Sequence, residues 1–256
     1  VYEEEFGHSR QYEWTQNSNA IVFIKSDESQ VKEVLIPIYN KNLYPQEMRF
    51  KYPKAGEENS KVSAHLYKLD ENTTIPLNLS QFKNYYIPNV LQTAKPNEII
   101  LITSHRTQNA SDILKVNTQT AKVDKLFTEV DSQWIDTDNV TLDFLEDNSF
   151  IWASERSGFR HLYWYHPDGK LKKQITKGKW EVTDYYGYNP STKEVYIQTT
   201  QNGSINKVIA KTNIISGKTT IISNKEGNNS ANFSKNYRYF IETHSTALYP
   251  HAYTLK

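Results

Sequence analysis

A short pattern returns five times along this chain and decides what it can fold into. Each copy is a polar turn, then an apolar run, then a small polar residue. The first copy is Thr15-Gln16-Asn17-Ser18-Asn19 followed by Ala20-Ile21-Val22-Phe23-Ile24-Lys25-Ser26. The others carry their apolar runs at Ile99-Ile100-Leu101-Ile102, Phe150-Ile151-Trp152-Ala153, Val195-Tyr196-Ile197 and Tyr239-Phe240-Ile241. The step from Ser149 to Thr192 is 43 residues, that from Thr192 to Lys235 is again 43, and that from Asn97 to Asn148 is 51. A period of about 40–50 residues with several strands in each repeat is how propeller blades appear in a sequence.

One repeat can be read strand by strand. After Trp152-Ala153-Ser154-Glu155 comes a turn at Arg156-Ser157-Gly158-Phe159. An alternating strand follows, Arg160-His161-Leu162-Tyr163-Trp164-Tyr165, and then a hairpin turn, His166-Pro167-Asp168-Gly169. A third strand runs through Leu171-Lys172-Lys173-Gln174-Ile175-Thr176, and a fourth begins at Trp180-Glu181-Val182. Four antiparallel strands per repeat is blade geometry. The interval from Asn17 to Asn97 is 80 residues, nearly two periods. It is expected to hold one irregular blade, with a strand at 62–69 and a long ordered loop before it, through Tyr44-Pro45 and Tyr52-Pro53-Lys54-Ala55-Gly56. The count is about four full blades plus the remains of one at the N-terminus. The expected fold is all-β: a partial propeller of about four to five four-stranded antiparallel blades.

Composition agrees and removes several kinds of chemistry. There are 18 Tyr, 10 Phe and 5 Trp against one Met and nine Gly, the balance of pleated, half-buried surfaces. The absence of cysteine excludes disulfides, thiolate metal sites and a cysteine nucleophile. Basic and acidic residues balance at 30 and 29, which argues against nucleic acid as a partner. No stretch approaches the ~20 apolar residues of a membrane span. The chain starts at Val1 rather than Met, and an open run of blades leaves two sheet faces uncovered. The expectation is therefore a piece of a longer protein, with further blades upstream.

The residues that could carry chemistry are few. The seven His residues form no paired ligand motif, and His161 and His166 flank a strand as structural polar groups. No G-x-S-x-G elbow, P-loop or dinucleotide-binding glycine pattern is present, so no metal, cofactor or nucleophile is expected. Asp143, Glu146 and Asp147 form an acidic cluster read as turn chemistry, and Glu155-Arg156 reads as a surface ion pair. The remaining feature is the opening run, Val1-Tyr2-Glu3-Glu4-Glu5-Phe6-Gly7. Its ordinary reading is a solvated patch or a helix N-terminus. Its sharper reading is a cation pocket in which two carboxylates share one ammonium group.

Five segments, in order along the chain, resemble the dipeptidyl peptidase IV family of serine exopeptidases, and its bacterial members most. They are Val1-Tyr2-Glu3-Glu4-Glu5, Ser26-Asp27-Glu28-Ser29-Gln30-Val31, Tyr52-Pro53-Lys54-Ala55-Gly56, Ser154-Glu155-Arg156-Ser157-Gly158-Phe159-Arg160-His161-Leu162 and Gln174-Ile175-Thr176-Lys177-Gly178-Lys179-Trp180-Glu181-Val182. The resemblance implies that residues 1–256 belong to an N-terminal eight-bladed propeller and that an α/β-hydrolase domain with Ser, Asp and His lies downstream. It implies Glu4 and Glu5 as the ligands of a peptide substrate's free amino terminus. It also implies a periplasmic or cell-surface setting, peptide substrate and the chain's own hydrolase domain as partners, and a parent that can form a homodimer. An arginine that the family places before the glutamates would lie upstream. The loop after Trp134, Ile135-Asp136-Thr137-Asp138-Asn139-Val140, lacks the Phe-Arg pair of mammalian members. Two other readings remain. One is a catalytically silent propeller that binds proteins. The other is a propeller glycosidase, whose carboxylates must stand ~5–9 Å apart across a sugar; adjacent Glu4 and Glu5 fit that poorly.

Overall fold

The computed structural model describes residues 11–82, 86–224 and 226–256. All 21 elements among them are β-strands, in two compact units, Val1–Asp138 and Asn139–Lys256.

In the first unit, β1 (Tyr12–Trp14), β2 (Ala20–Asp27), β5 (Lys61–Lys68) and β6 (Thr73–Pro76) form one antiparallel sheet in the order β1-β2-β5-β6. Between β2 and β5 the chain leaves the sheet as a separate hairpin, β3 (Glu33–Ile38) against β4 (Gln46–Lys51), with Leu35 opposite Arg49 and Ile36 opposite Met48. The second sheet is a meander of β7 (Tyr86–Gln92), β8 (Glu98–Ser104), β9 (Ala110–Asn117) and β10 (Lys122–Val130). The pleat sends alternate residues to opposite faces. One face of the first sheet, with Ala20, Val22, Ile24, Ala64 and Leu66, therefore buries against Ile99, Leu101, Leu114 and Val116 of the second.

The second unit repeats the plan. β11 (Leu142–Phe144), β12 (Phe150–Ser154), β13 (His161–Tyr165) and β14 (Leu171–Gln174) form one meander. β15 (Val182–Asn189), β16 (Glu194–Thr199), β17 (Val208–Asn213) and β18 (Thr219–Ile221) form the next. A three-stranded sheet follows, β19 (Asn228–Phe233), β20 (Phe240–Ser245) and β21 (Ala252–Leu255). Ile151, Leu162, Ile175, Val182, Val195, Ile197 and Ala210 make the core shared by the two four-stranded sheets.

The five apolar runs of the sequence repeat are β2, β8, β12, β16 and β20, each the second strand of its sheet. This is the all-β architecture of a partial propeller, with four blades of four strands and one of three. Three expectations need correcting. The strand starting near Trp180 pairs with β16 and so opens a new sheet instead of completing the one before it. The 80-residue interval holds three strands of one blade, β2, β5 and β6, and the first strand of the next, β7; the strand at 62–69 is β5, the third of its sheet, and the extra length is the β3–β4 hairpin. Part of the expected loop is thus strand β4, because Gln46–Lys51 finds a backbone partner in Glu33–Ile38 that local composition does not reveal. Among the described residues the three-stranded sheet is the last along the chain, and the first sheet, where the remains of a blade were expected, has four strands.

Candidate functional site

Glu4 and Glu5 lie outside the described residues. β1 begins beside the C-terminal end of β2, where Ile24 N–H donates to the Gln11 carbonyl at 2.9 Å. Antiparallel pairing puts the start of β5 at that same end, with Asp27 opposite Lys61. The turn leading to β5 is the Tyr-Pro-Lys-Ala-Gly segment. Glu57 N–H donates to the Lys54 carbonyl at 2.9 Å, and the Glu57 carboxylate accepts Lys54 N–H at 3.1 Å and Lys32 Nζ at 2.6 Å. The second sheet joins this end through Arg106, which donates to the Glu57 carbonyl at 2.9 Å, and through Asn59, which donates to the Tyr86 hydroxyl at 2.7 Å.

The β8–β9 turn, which carries Arg106, also fixes the loop after β10. Gln108 takes a left-handed backbone (φ 52) inside the turn. Its carbonyl accepts Ile135 N–H at 2.8 Å and its Oε1 accepts Trp134 Nε1–H at 2.8 Å. Asn89 donates to the Thr137 carbonyl at 2.8 Å. The ring edge of Trp134 and the backbone N–H of Ile135 after it are both held, yet the Trp134 side chain remains exposed.

In the second unit the turn that resembles Ser-Glu-x-x-Gly-Phe-x-His is built around two buried polar side chains. Arg160 donates to the carbonyls of Val182 and Asn139 at 2.9 Å each and to Thr141 Oγ1 at 2.8 Å, so it pins the first strands of two neighbouring sheets. His161 is 1% exposed. Its Nε2 lies 3.1 Å from the Gly178 carbonyl, which can only accept, so Nε2 carries the proton and Nδ1 accepts from Thr176 Oγ1 at 3.0 Å. Burial lowers its pKa and favours this neutral form. The ring meets Trp180 edge-on at 4.8 Å. These are the satisfied structural roles expected for a buried histidine. Arg156 lies over the Tyr163 ring at 4.7 Å, and its Nε donates to Ser154 Oγ at 2.8 Å.

The acidic cluster separates into two functions. Asp147 is turn chemistry: it accepts Ser149 N–H at 3.0 Å, and Ser149 Oγ in turn accepts Trp164 Nε1–H at 2.8 Å. Asp143 is a correction to that reading. It sits on β11 and accepts the Tyr185 hydroxyl from β15 at 2.5 Å, tying two sheets together. Burial raises the Asp143 carboxyl, and burial followed by the Asp143 charge pushes the Tyr185 phenol well up, so the phenol is the donor. Nothing in the local sequence of either residue marks the pair, since 42 residues separate them.

A carboxyl whose pKa is raised on folding takes up protons in the native state first. Its contribution to stability is full below the unfolded value of ~3.9 and is lost as pH rises through the folded value. Asp143→Asn is therefore expected to leave stability at pH 7 within ~1 kcal/mol of the parent and to flatten the acid side of its pH profile. Tyr185→Phe strips a half-buried carboxylate of its donor and should cost ~1–3 kcal/mol. Urea unfolding between pH 4 and 7 checks both; equal losses for the two variants would contradict the assignment.

Among the described residues no three His, Asp or Glu side chains gather as metal ligands. Blades of four antiparallel strands, with connecting turns that hold polar and aromatic groups at one end of each sheet, define this chain as a propeller region. The family model for the dipeptidyl peptidase IV N-terminal region matches residues 1–251, and the chain belongs to that family. It is 32% identical to the crystal structure of dipeptidyl peptidase 4 from Porphyromonas gingivalis, with a TM-score of 0.88 over 100% of this chain and 36% of that one. Among curated proteins it is 28% identical to dipeptidyl peptidase 4 of Arthroderma otae over 78% of this chain and 28% of the fungal protein. It is 25% identical to the inactive dipeptidyl peptidase 10 of Rattus norvegicus over 78% of this chain and 27% of the rat protein. The chain thus spans roughly a quarter to a third of the length of these curated relatives.

Proposed function

We propose that this chain is the part of a dipeptidyl peptidase that receives the substrate's free amino terminus, with Glu4 and Glu5 as its ligands and hydrolysis carried out by a downstream serine hydrolase domain. The observation that carries this reading is the match of the family model across residues 1–251, which includes the glutamate run. The likeness to the Porphyromonas gingivalis dipeptidyl peptidase 4 over the whole chain supports it.

The chemistry is self-consistent. An ammonium group leaving water loses hydration worth several kcal/mol unless charge and hydrogen bonds replace it. Two carboxylates accept its three N–H donors in charge-assisted bonds. An amine fixed at a set distance from a nucleophile places one particular peptide bond at the reacting centre, which converts binding into exopeptidase selectivity and orients the scissile carbonyl.

The test is removal of either carboxylate from the longer protein, which should abolish efficient dipeptide release. The isolated 256-residue chain, carrying no nucleophile elbow, is expected to release nothing from dipeptidyl substrates in a fluorogenic assay. Turnover by the purified chain would contradict this division of labour.

The likeness to inactive dipeptidyl peptidase 10 favours a second reading, a catalytically silent propeller that binds proteins. The sequence downstream separates the two. A G-x-S-x-G elbow followed by Asp and His selects the enzyme, and its absence selects the binding module.

A further inference from the structure

We propose that a cleft between the two four-stranded sheets of the second unit, rimmed by Glu146 and Lys193, binds a zwitterionic peptide of two residues whose second side chain is apolar. Nothing in this site requires the peptidase reading.

The cleft has a volume of about 290 Å³. Leu145, Trp164 and Ile215 give it an apolar floor. Its rim carries Glu146 and Asp147 from the β11–β12 turn, Lys172 from β14 and Lys193 from the β15–β16 turn. The walls are fastened. Ser149 Oγ holds the Trp164 ring edge at 2.8 Å, and the Lys193 carbonyl accepts Ile214 N–H at 2.9 Å. Lys173 Nζ donates to the Ile215 carbonyl and so ties β14 to the β17–β18 turn. A site already held in shape gives up little entropy when a ligand enters.

The first unit has a cleft among the matching turns of its own two sheets, and the contrast selects the ligand. There the lining lysine, Lys68, is already bonded to Glu71 and to the Gln119 carbonyl, at 3.0 Å each. In the second unit Glu146, Lys193 and the Tyr188 hydroxyl have no hydrogen-bond or ion-pair partner among the described residues, and the Lys172 ammonium group rests on the Trp164 ring at 3.4 Å. Burial, and after it the charges of Asp147 and Glu146, push the half-buried Tyr188 phenol up, so it stays a donor and both carboxylates act on the cleft. Two acids and two lysines sum to zero. A ligand of one charge sign gains little from such a rim, whereas a zwitterion pairs with both signs. Its ammonium group pairs with Glu146 and its carboxylate with Lys193 and Lys172, while an apolar side chain covers the floor. The volume lies at the small end of ligand sites, ~300–1,000 Å³, which suits two residues and not a folded partner.

The test is calorimetry with the dipeptide Ala-Phe on the full-length protein that contains this chain. Glu4→Ala and Glu5→Ala are carried in the background, so that any amine site at those residues is removed. Ala-Phe should bind one to one. Acetylating its amine or amidating its carboxylate should each weaken it about fivefold, the scale of one partly exposed ion pair. Glu146→Gln should erase the acetylation penalty and keep the amidation penalty. Lys193→Gln should shrink the amidation penalty and keep the acetylation penalty. Ile215→Ser, a change at an exposed position, should narrow the preference for Ala-Phe over Ala-Gly. Absence of Ala-Phe binding overturns the inference. So do penalties that neither rim variant moves, which would put the dipeptide elsewhere on the protein, and an equal loss for all forms of the peptide in both variants, which would mark a structural role.

Discussion

Glu4→Ala or Glu5→Ala in the longer protein is expected to lower kcat/KM for dipeptide release by about a hundredfold to several thousandfold. Leaving a buried charge half-paired costs ~3–5 kcal/mol, and each ~1.4 kcal/mol is a factor of ten. The loss should be confined to substrates with a free amine. A substrate acetylated at its N-terminus has no ammonium group, so parent and variants should process it equally poorly. Glu→Gln keeps the shape and an acceptor oxygen but removes the charge, and it should fall between Glu and Ala. The pH dependence follows from the same pairing. Binding needs a protonated amine, which an unperturbed terminus loses above ~8, and ionised carboxylates, which unperturbed glutamates lose below ~4.3. The rate limb above pH 8 should therefore flatten in the Ala variants, because protonation of the amine no longer matters to them. Near-normal turnover by both variants would end the proposal.

Gly227→Ala is expected to destabilise the second unit by ~2–4 kcal/mol. Gly227 has φ +77, a conformation that costs an L-residue ~1–2 kcal/mol. An added Cβ would also lie 2.2 Å from the Ser245 carbonyl oxygen and 2.9 Å from Thr246 Cγ2. The first of these is backbone and cannot rotate away, so the loop itself must move, at a further ~1–3 kcal/mol. Movement is resisted by the hydrogen bonds that fasten the loop. Asn206 Oδ1 accepts Gly227 N–H at 2.8 Å, and the Gly227 carbonyl accepts Lys207 N–H at 2.9 Å. The side chain of Asn229, fully buried, donates to the Lys207 carbonyl at 2.8 Å. Gly203 serves as the control: it too has a positive φ (+102), but an added Cβ meets only Asn206 Nδ2, at 3.7 Å. Gly203→Ala should cost roughly 1 kcal/mol. Thermal unfolding should separate the pair by several degrees, at ~2–4 °C per kcal/mol in a chain of this size. Equal shifts for the two would show that backbone conformation, and not the contact with Ser245, sets the cost.

The sequence carried the strand repeat because burial imposes a local pattern. Each second strand must be apolar, it must begin at a polar turn, and both needs are met within about ten consecutive residues. The hairpin turn at His166-Pro167-Asp168-Gly169 is equally local, and it closes as expected, with Gly169 N–H bonded to the His166 carbonyl at 3.0 Å. The family was legible for a related reason, since its motifs are short runs that keep their order. The β3–β4 hairpin was not legible, because its strands are largely exposed, β3 contains Pro37, and the two stabilise each other only once paired across an intervening turn. Blade boundaries were displaced by one strand, because a strand's own residues do not say which neighbour it will pair with.

By itself, then, the sequence determined the all-β class, the blade period and the family, together with two glutamates whose role stands as a proposal. Tertiary structure alone decided the rest. It paired Asp143 with Tyr185 across 42 residues, seated Gly227 against the Ser245 carbonyl, and left Trp134 exposed in the grip of Gln108. Each of these depends on which groups meet through space, and the order of residues along the chain does not encode such meetings locally.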